Sequence, residues 1–533
     1  FTNIKTGDWL IDFMSNRLYQ NPRLIVLEKT FREKCDSLKE LPRFLIPKYL
    51  DRIVRALNKA AVDTIIKHSS QFIQNGDEFV RSLATSAASF FTPIKNAQLV
   101  HPNLQRIFVE LVSRMDTSTA AGFPHFSSGF MRSWGRDTMI SLRGLFLVTG
   151  RFTEARDQLV AFASCLRHGL IPNLHDGCMN PRYNARDATW WFLQALQDYA
   201  VMSGENGNVF NIKVPKLFPT DDQIEYQRKW HNTRNRPIVT MGDIVYEILS
   251  RHANGIHFVE WNAGQQIDSV MKTDGFSIDI ITDWSNGFIL GGNTCNCGTW
   301  MDKMGSSEKA GNKGIPATPR DGADIEIIGL LESTLRWLNE CTKQGTFSHS
   351  GVVVEATKQT VTWADWSSLI CNNFESWFYI PVNEKQDDEY FLDPEFIRLR
   401  GIYKDTIGSA QIYGDYQFRP NLVVAMTVAP ELFDPVHAVR CLNLVEERLV
   451  GKIGMKTLDP ADHDYRPYYH NSDDSSDYYV ANGFNYHNGP EWLWPVGYFF
   501  RASMRFKRGV TTRMKQMLSF IKKAQIGSWA CGL

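Results

Sequence analysis

Apolar residues recur at three- and four-residue intervals along most of this chain, the spacing that lines one face of an α-helix. The pattern predicts helices over 41–60, 137–149, 153–168, 188–200, 240–253, 323–341, 363–379, 421–430, 434–449, 491–506 and 511–523. Residues suited to a helix start stand at several of these beginnings: Asp137, Thr153, Asp187, Asp324, Asp434 and the pair Pro490-Glu491. Strand alternation is rare; 351–355 and 360–362 read as one short hairpin. The longest connections, 169–186, 256–322 and 454–490, are rich in glycine and aromatics, and loops of that length in compact domains are usually functional. Paired helices with alternating short and long loops predict an all-α fold, an (α/α)6 toroid of helical hairpins with its site at the long-loop end. An α-solenoid also stacks helix pairs, but no fixed-period repeat is present. Residues 1–115 are expected to form an accessory helical region leading into a barrel over 116–533.

Composition narrows the function. With 58 basic and 58 acidic residues the formal net charge is zero, so no nucleic-acid partner is expected. No apolar run reaches the roughly 18 residues that a membrane helix needs, so no membrane partner is expected either. Phosphate-loop, dinucleotide and HExxH motifs are absent. Nine scattered cysteines, an odd number, point to a reduced, cytoplasmic setting. Cys295-Asn296-Cys297 lacks a second ligand pair at metal spacing, so neither metal nor cofactor is expected. The first residue, Phe1, suggests a fragment of something longer. Aromatics make up 12% of the chain, including 15 Trp, which suits a sugar-binding cleft or an aromatic-rich core.

Two stretches concentrate the chemistry. Tyr183-Asn184-Ala185-Arg186-Asp187-Ala188-Thr189-Trp190-Trp191 and Phe484-Asn485-Tyr486-His487-Asn488-Gly489-Pro490-Glu491-Trp492-Leu493-Trp494-Pro495 each aim a carboxylate and several rings at a predicted helix start. Glycoside hydrolysis needs a proton donor, a base and flat surfaces for sugar faces. Asp187 and Glu491 are the candidates, with Trp190, His487, Trp492 and Trp494 beside them. As a helix cap, Asp187 is favoured as an anion; burial against Trp190 and Trp191 opposes that. Glu491 after Pro490 suits a base, or merely complements a helix dipole. In Trp134-Gly135-Arg136-Asp137, the ring, guanidinium and carboxylate are able to hold one sugar; the alternative is that Asp137 caps its helix and pairs with Arg136. The loop from Gly298-Thr299-Trp300-Met301-Asp302 to Arg320-Asp321-Gly322 is either functional or solvated.

Read together, these segments resemble the C-terminal part of eukaryotic glycogen debranching enzymes. The motifs are Phe123 to Gly129, Trp134-Gly135-Arg136-Asp137, Arg167 to Leu174, Tyr183 to Asp187, Asn296 to Gly305, Gly314 to Gly322, Asp415 to Asn421, Gly454 to Pro460 and Phe484 to Pro495. The match runs over 7–506. It implies an amylo-α-1,6-glucosidase on a glucoamylase-like (α/α)6 barrel, acting on glycogen or branched α-glucan oligosaccharides. The glucose stub at a branch point would be hydrolysed with inversion, β-glucose appearing first. The resemblance makes Asp187 the acid and Glu491 the base. Trp134, Arg136 and Asp137 would hold the terminal glucose; Trp190, Trp300, Asp302, Arg320, His487, Trp492 and Trp494 complete the expected substrate contacts. The family's full chain also carries an N-terminal glucanotransferase half, which nothing here matches, so that activity is not expected on this chain. The family continues beyond Ser528-Trp529 into a last helix, so the barrel is expected to be truncated there. The rival readings are a non-catalytic glucan-binding scaffold and a trehalase-like enzyme.

Overall fold

The computed structural model describes residues 9–20, 24–93, 99, 117–119, 133–175, 181–218, 220–221, 237–261, 263–509 and 511–527. The chain divides into two compact units, Phe1–Ala88 and Ser89–Leu533. In the first, α1 (Trp9–Tyr19) packs on α2 (Ile25–Asp36), followed by α3 (Ile46–Lys67) and α4 (Glu78–Ala87). Its core is Ile11, Phe31, Cys35, Leu38 and Leu50. Asp77 caps α4 by accepting from the Val80 N–H at 2.9 Å.

The second unit carries α5 (Gly135–Leu142), α6 (Phe152–Ser164), α7 (Asp187–Ser203), α8 (Met241–Asn254) and α9 (Ile325–Lys343). After these come α10 (Trp363–Phe378), α11 (Leu422–Val428), α12 (Pro435–Leu444), α13 (Pro495–Phe506) and α14 (Thr512–Gly527). Alternate helices touch in series: α5 on α7, α7 on α9, α9 on α11 and α11 on α13. The intervening α6, α10 and α12 pack against α7, α9 and α13. A helix covered from several sides must be apolar nearly all round. In α9 every residue from Ile325 to Leu335 is buried. Where α9 crosses α11 the backbones almost meet: a Cβ on Gly329 would lie 2.6 Å from the Ala425 Cα.

In the second unit most helix spans follow the sequence pattern, with one-turn π segments at Arg143–Leu147 and Val445–Leu449, whereas in the first the expected 41–60 lies at Ile46–Lys67 and α1, α2 and α4 fall outside the predicted spans. The starts differ more. Asp434 is a true cap, accepting from Val436 and His437 N–H groups at 2.8 and 3.1 Å. Asp137 is not; Trp134 occupies the cap position of α5 and Asp137 lies in the first turn. Nor does a helix begin at Glu491. Glu491–Trp492 pairs antiparallel with Met455–Lys456, which satisfies an extended backbone, and Pro495 then supplies the fixed φ of a first helical residue.

The connection 256–322 holds a three-stranded antiparallel sheet absent from the sequence reading: β1 (Ile256–Val259), β2 (Ser277–Asp283) and β3 (Phe288–Gly291). Only Ile278 and Ile280 of β2 are buried, too short an alternation to stand out. The predicted hairpin forms between β4 (Gly351–Val354) and β5 (Gln359–Thr362). No helix among the described residues is long and apolar enough to cross a membrane.

Candidate active site

The N-terminal ends of α5, α7, α9 and α11 are linked through side-chain hydrogen bonds, and α13 joins them through ring contacts of Trp494. Arg136, in the first turn of α5, makes the central tie. Its Nε donates to Asp187 Oδ2 at 2.8 Å and its Nη2 to Asp187 Oδ1 at 2.8 Å, while Nη1 donates to Asp302 Oδ2 at 2.8 Å. Gly135 allows this approach: a Cβ there would lie 2.3 Å from the Pro172 carbonyl oxygen. Burial alone would lower the Arg136 pKa; Asp187 and Asp302 more than reverse that and raise it.

The two carboxylates differ in surroundings. Asp187, first residue of α7, has 0% of its surface exposed, and both oxygens accept from Arg136. It therefore presents no oxygen to solvent or to a ligand in this arrangement. The Asp302 side chain is 35% exposed and has one oxygen on Arg136. Burial raises its pKa against the pull of Arg136, and the negative charges of Asp137 and Asp187 raise it further. Asp137 is exposed beside them.

A cluster of rings forms around Trp300, two residues before Asp302. Trp300 stands edge-on to His487 at 5.3 Å, to Trp492 at 5.6 Å and to Trp494 at 5.0 Å. His487 stacks on Trp492 at 5.1 Å, and Trp494 meets Trp191 edge-on at 5.8 Å. His487 is buried and held neutral: burial drives its pKa well below the usual range, helped by Arg419 and Arg136. Its Nδ1 has no hydrogen-bond partner among the described residues. Trp190, by contrast, is 1% exposed and packs edge-on to His252 of α8, so it offers no open face. Trp134 is partly exposed at the head of α5.

A second buried ionic cluster sets the position of Trp300. Arg320 Nε donates to Asp405 Oδ2 at 2.7 Å and Nη2 to Glu326 Oε2 at 2.6 Å. Asn421 Nδ2 donates to Asp405 Oδ1 at 2.8 Å, and Asn421 Oδ1 accepts from Trp300 Nε1 at 2.7 Å. Arg320 thus spends its donors on protein carboxylates and braces the ring that lines the site. Arg186 bonds Asp324 and donates to the Arg320 and Gly322 carbonyls at 2.9 Å each, joining α7 to α9. Arg419 and Asn421 were not singled out in the sequence, although both close the Asp415 to Asn421 motif. Arg419 donates to the His487 carbonyl at 2.8 Å and to Asn488 Oδ1 at 2.8 Å.

Glu491 is exposed and turned away from these rings. Side chains alternate along a strand, so with Trp492 on the His487 side, Glu491 points to the opposite side. There its carboxylate accepts from the Lys452 and Gly454 N–H groups at 3.2 and 3.1 Å, and from Ile453 at 3.4 Å. Gly451 makes room: a Cβ on it would lie 2.0 Å from the carboxylate carbon.

Aromatic rings near a partly exposed carboxyl with a raised pKa suit a polyhydroxylated, uncharged ligand. The comparisons make the class specific. A family model described as amylo-alpha-1,6-glucosidase matches residues 68–530. The chain is 44% identical over 511 residues to a glycogen debranching enzyme of Saccharomyces cerevisiae, covering 95% of this chain and 32% of the yeast protein. The chain belongs to the amylo-alpha-1,6-glucosidase family and is a homologue of glycogen debranching enzyme, spanning about a third of that relative's length.

Proposed function

We propose that this chain hydrolyses the α-1,6-linked glucosyl stub of branched α-glucans such as glycogen limit dextrin, releasing free glucose in the cytoplasm. The observation that carries this reading is the Arg136-held Asp302, a carboxyl with a raised pKa near a cluster of rings, in a chain of this family. The helix series α5, α7, α9, α11 and α13 is read as the inner wall of an (α/α)6 toroid, with 1–115 as an accessory region.

In the reaction Asp302 protonates the glycosidic oxygen as its bond to the anomeric carbon breaks, and water adds to that carbon and gives up a proton on the opposite face. Its raised pKa keeps the proton available at higher pH than an ordinary carboxyl would. The acid role that the resemblance gives to Asp187 fits Asp302 better, because Asp187 spends both oxygens on Arg136 and so fixes the guanidinium that orients Asp302. Asp137 and Trp134 hold the terminal glucose, and Trp300, His487, Trp492 and Trp494 shape the surrounding wall. Inversion is carried over from the resemblance and requires a second carboxylate to activate water from the opposite face. Glu491 is able to serve there only by leaving the amides of 452–454. Its carboxylate is held by the Lys452 and Gly454 amides.

The test is incubation of the chain with a glucosyl-branched maltooligosaccharide, following the anomer released by proton NMR. Early β-glucose is expected. Early α-glucose would mean a retaining reaction, and no glucose from a folded sample would favour a glucan-binding scaffold.

A further inference from the structure

The rings at the candidate site continue outward to the surface. Tyr486 lies 4.7 Å from His487 and 4.8 Å from Trp492. On its other side Tyr469 follows at 4.6 Å. Burial pushes the Tyr486 hydroxyl up to about 12, with the charges of Tyr469, Asp302 and Asp137 adding to the shift. Tyr469 is 39% exposed, its neighbour Tyr468 88%, and Tyr478 37%.

Exposed tyrosines on a polar loop are ordinarily just solvated. Here hydrogen bonds hold the loop backbone, and ring contacts hold Tyr469. Asn485 Nδ2 donates to the carbonyls of Arg466 at 2.8 Å and Tyr468 at 2.9 Å. The Arg466 N–H donates to the Asn488 carbonyl at 2.7 Å. Gly483, at φ +70°, lets the Tyr469 ring lie flat on the chain; a Cβ there would come within 2.4 Å of it. The facing loop is fastened too, by Lys303 Nζ to Asn471 Oδ1 at 3.2 Å and Asn312 Nδ2 to the Tyr478 carbonyl at 3.0 Å. Fixed aromatic faces with hydroxyl tips match the apolar faces and polar edges of pyranose rings, and rigidity lowers the entropy cost of binding.

We propose that Tyr469, with its chain neighbour Tyr468, is a platform for the linear α-1,4-glucan chain that carries the branch. The proposal rests on the reading of Asp302 as the α-1,6-glucosidase proton donor. A stub held among the inner rings leaves its parent chain at the site mouth, where the ring series ends in exposed tyrosines.

Maltoheptaose has no α-1,6 bond and reads the platform without turnover. Calorimetric titration into the wild-type chain and into Tyr468→Ala/Tyr469→Ala should show binding weakened by about tenfold, as the loss of two aromatic faces implies. Tyr468→Ala alone, at a position 88% exposed, should weaken it in the same direction with an unchanged melting temperature. Unchanged affinity in both variants, or no maltoheptaose binding to the wild-type chain, would overturn the proposal. Hydrolysis of α-glucosyl fluoride by the wild-type chain reads the glucosidase reading separately. Its absence would defeat that reading, while the titration alone decides the platform.

Discussion

Arg136 Nη1 holds one oxygen of Asp302 at 2.8 Å while the rest of the same guanidinium is occupied by Asp187. A buried guanidinium clamped on one side by a fully buried carboxylate has little freedom, so it fixes where the Asp302 carboxyl points. Asp302 is the partner left open to a ligand.

The charge of Asp137 is among the causes that raise the Asp302 pKa. A proton donor is active in its protonated form, so activity falls as pH rises through that raised value. Removing a nearby negative charge stabilises the Asp302 anion and lowers the pKa. Asp137→Asn should therefore move the alkaline limb of the kcat/KM profile to lower pH, whatever it does to sugar affinity. An unmoved limb would separate Asp302 from the proton donation assigned to it.

Glu491 tests the assignment of the loop. With its carboxylate on the amides of 452–454, Glu491→Gln should cost about 1 kcal/mol of stability and leave turnover of a branched oligosaccharide within tenfold of wild type. Melting temperature and kcat/KM check both halves. Abolished turnover with unchanged stability would restore Glu491 as the base.

Much of the second unit was legible because buried helices write a three-to-four residue period into the chain. The site was legible as motifs but less so as roles. Asp187 and Asp302 both sit among aromatics in the sequence. Only the three-dimensional pairing through Arg136 shows that one is sealed and the other half-exposed. Pro490-Glu491 reads as a helix start, yet its extended partner, Met455–Lys456, lies 35 residues earlier and leaves no local signal. Arg320 looks like a ligand-binding arginine until Asp405 and Glu326 are found to occupy it.

Away from the site, Glu332 on α9 is buried, its Oε1 accepting from Ser367 Oγ at 2.7 Å, and burial pushes its pKa from 4.5 up to about 8. Between those values the folded chain holds a proton that the unfolded chain has released. Stability from this residue is therefore fully present below about 4.5, falls as pH rises toward about 8, and is flat above. Glu332→Gln should remove that slope, so the variant gains on wild type as pH rises from 5 to 8. Denaturant unfolding across this range checks it; parallel pH profiles would contradict it.

The central claim is that Asp302 donates the proton. Fluoride leaves without protonation, so a missing acid is felt on a glycosidic leaving group and much less on α-glucosyl fluoride. Asp302→Asn should lose about a thousandfold in kcat/KM on the branched oligosaccharide, while α-glucosyl fluoride falls less than about tenfold. Asp187→Asn should instead lose stability, by about 3 kcal/mol, through the broken buried pair, and depress both substrates together. Near-normal oligosaccharide hydrolysis by Asp302→Asn, or the fluoride-selective pattern in Asp187→Asn, would contradict the account.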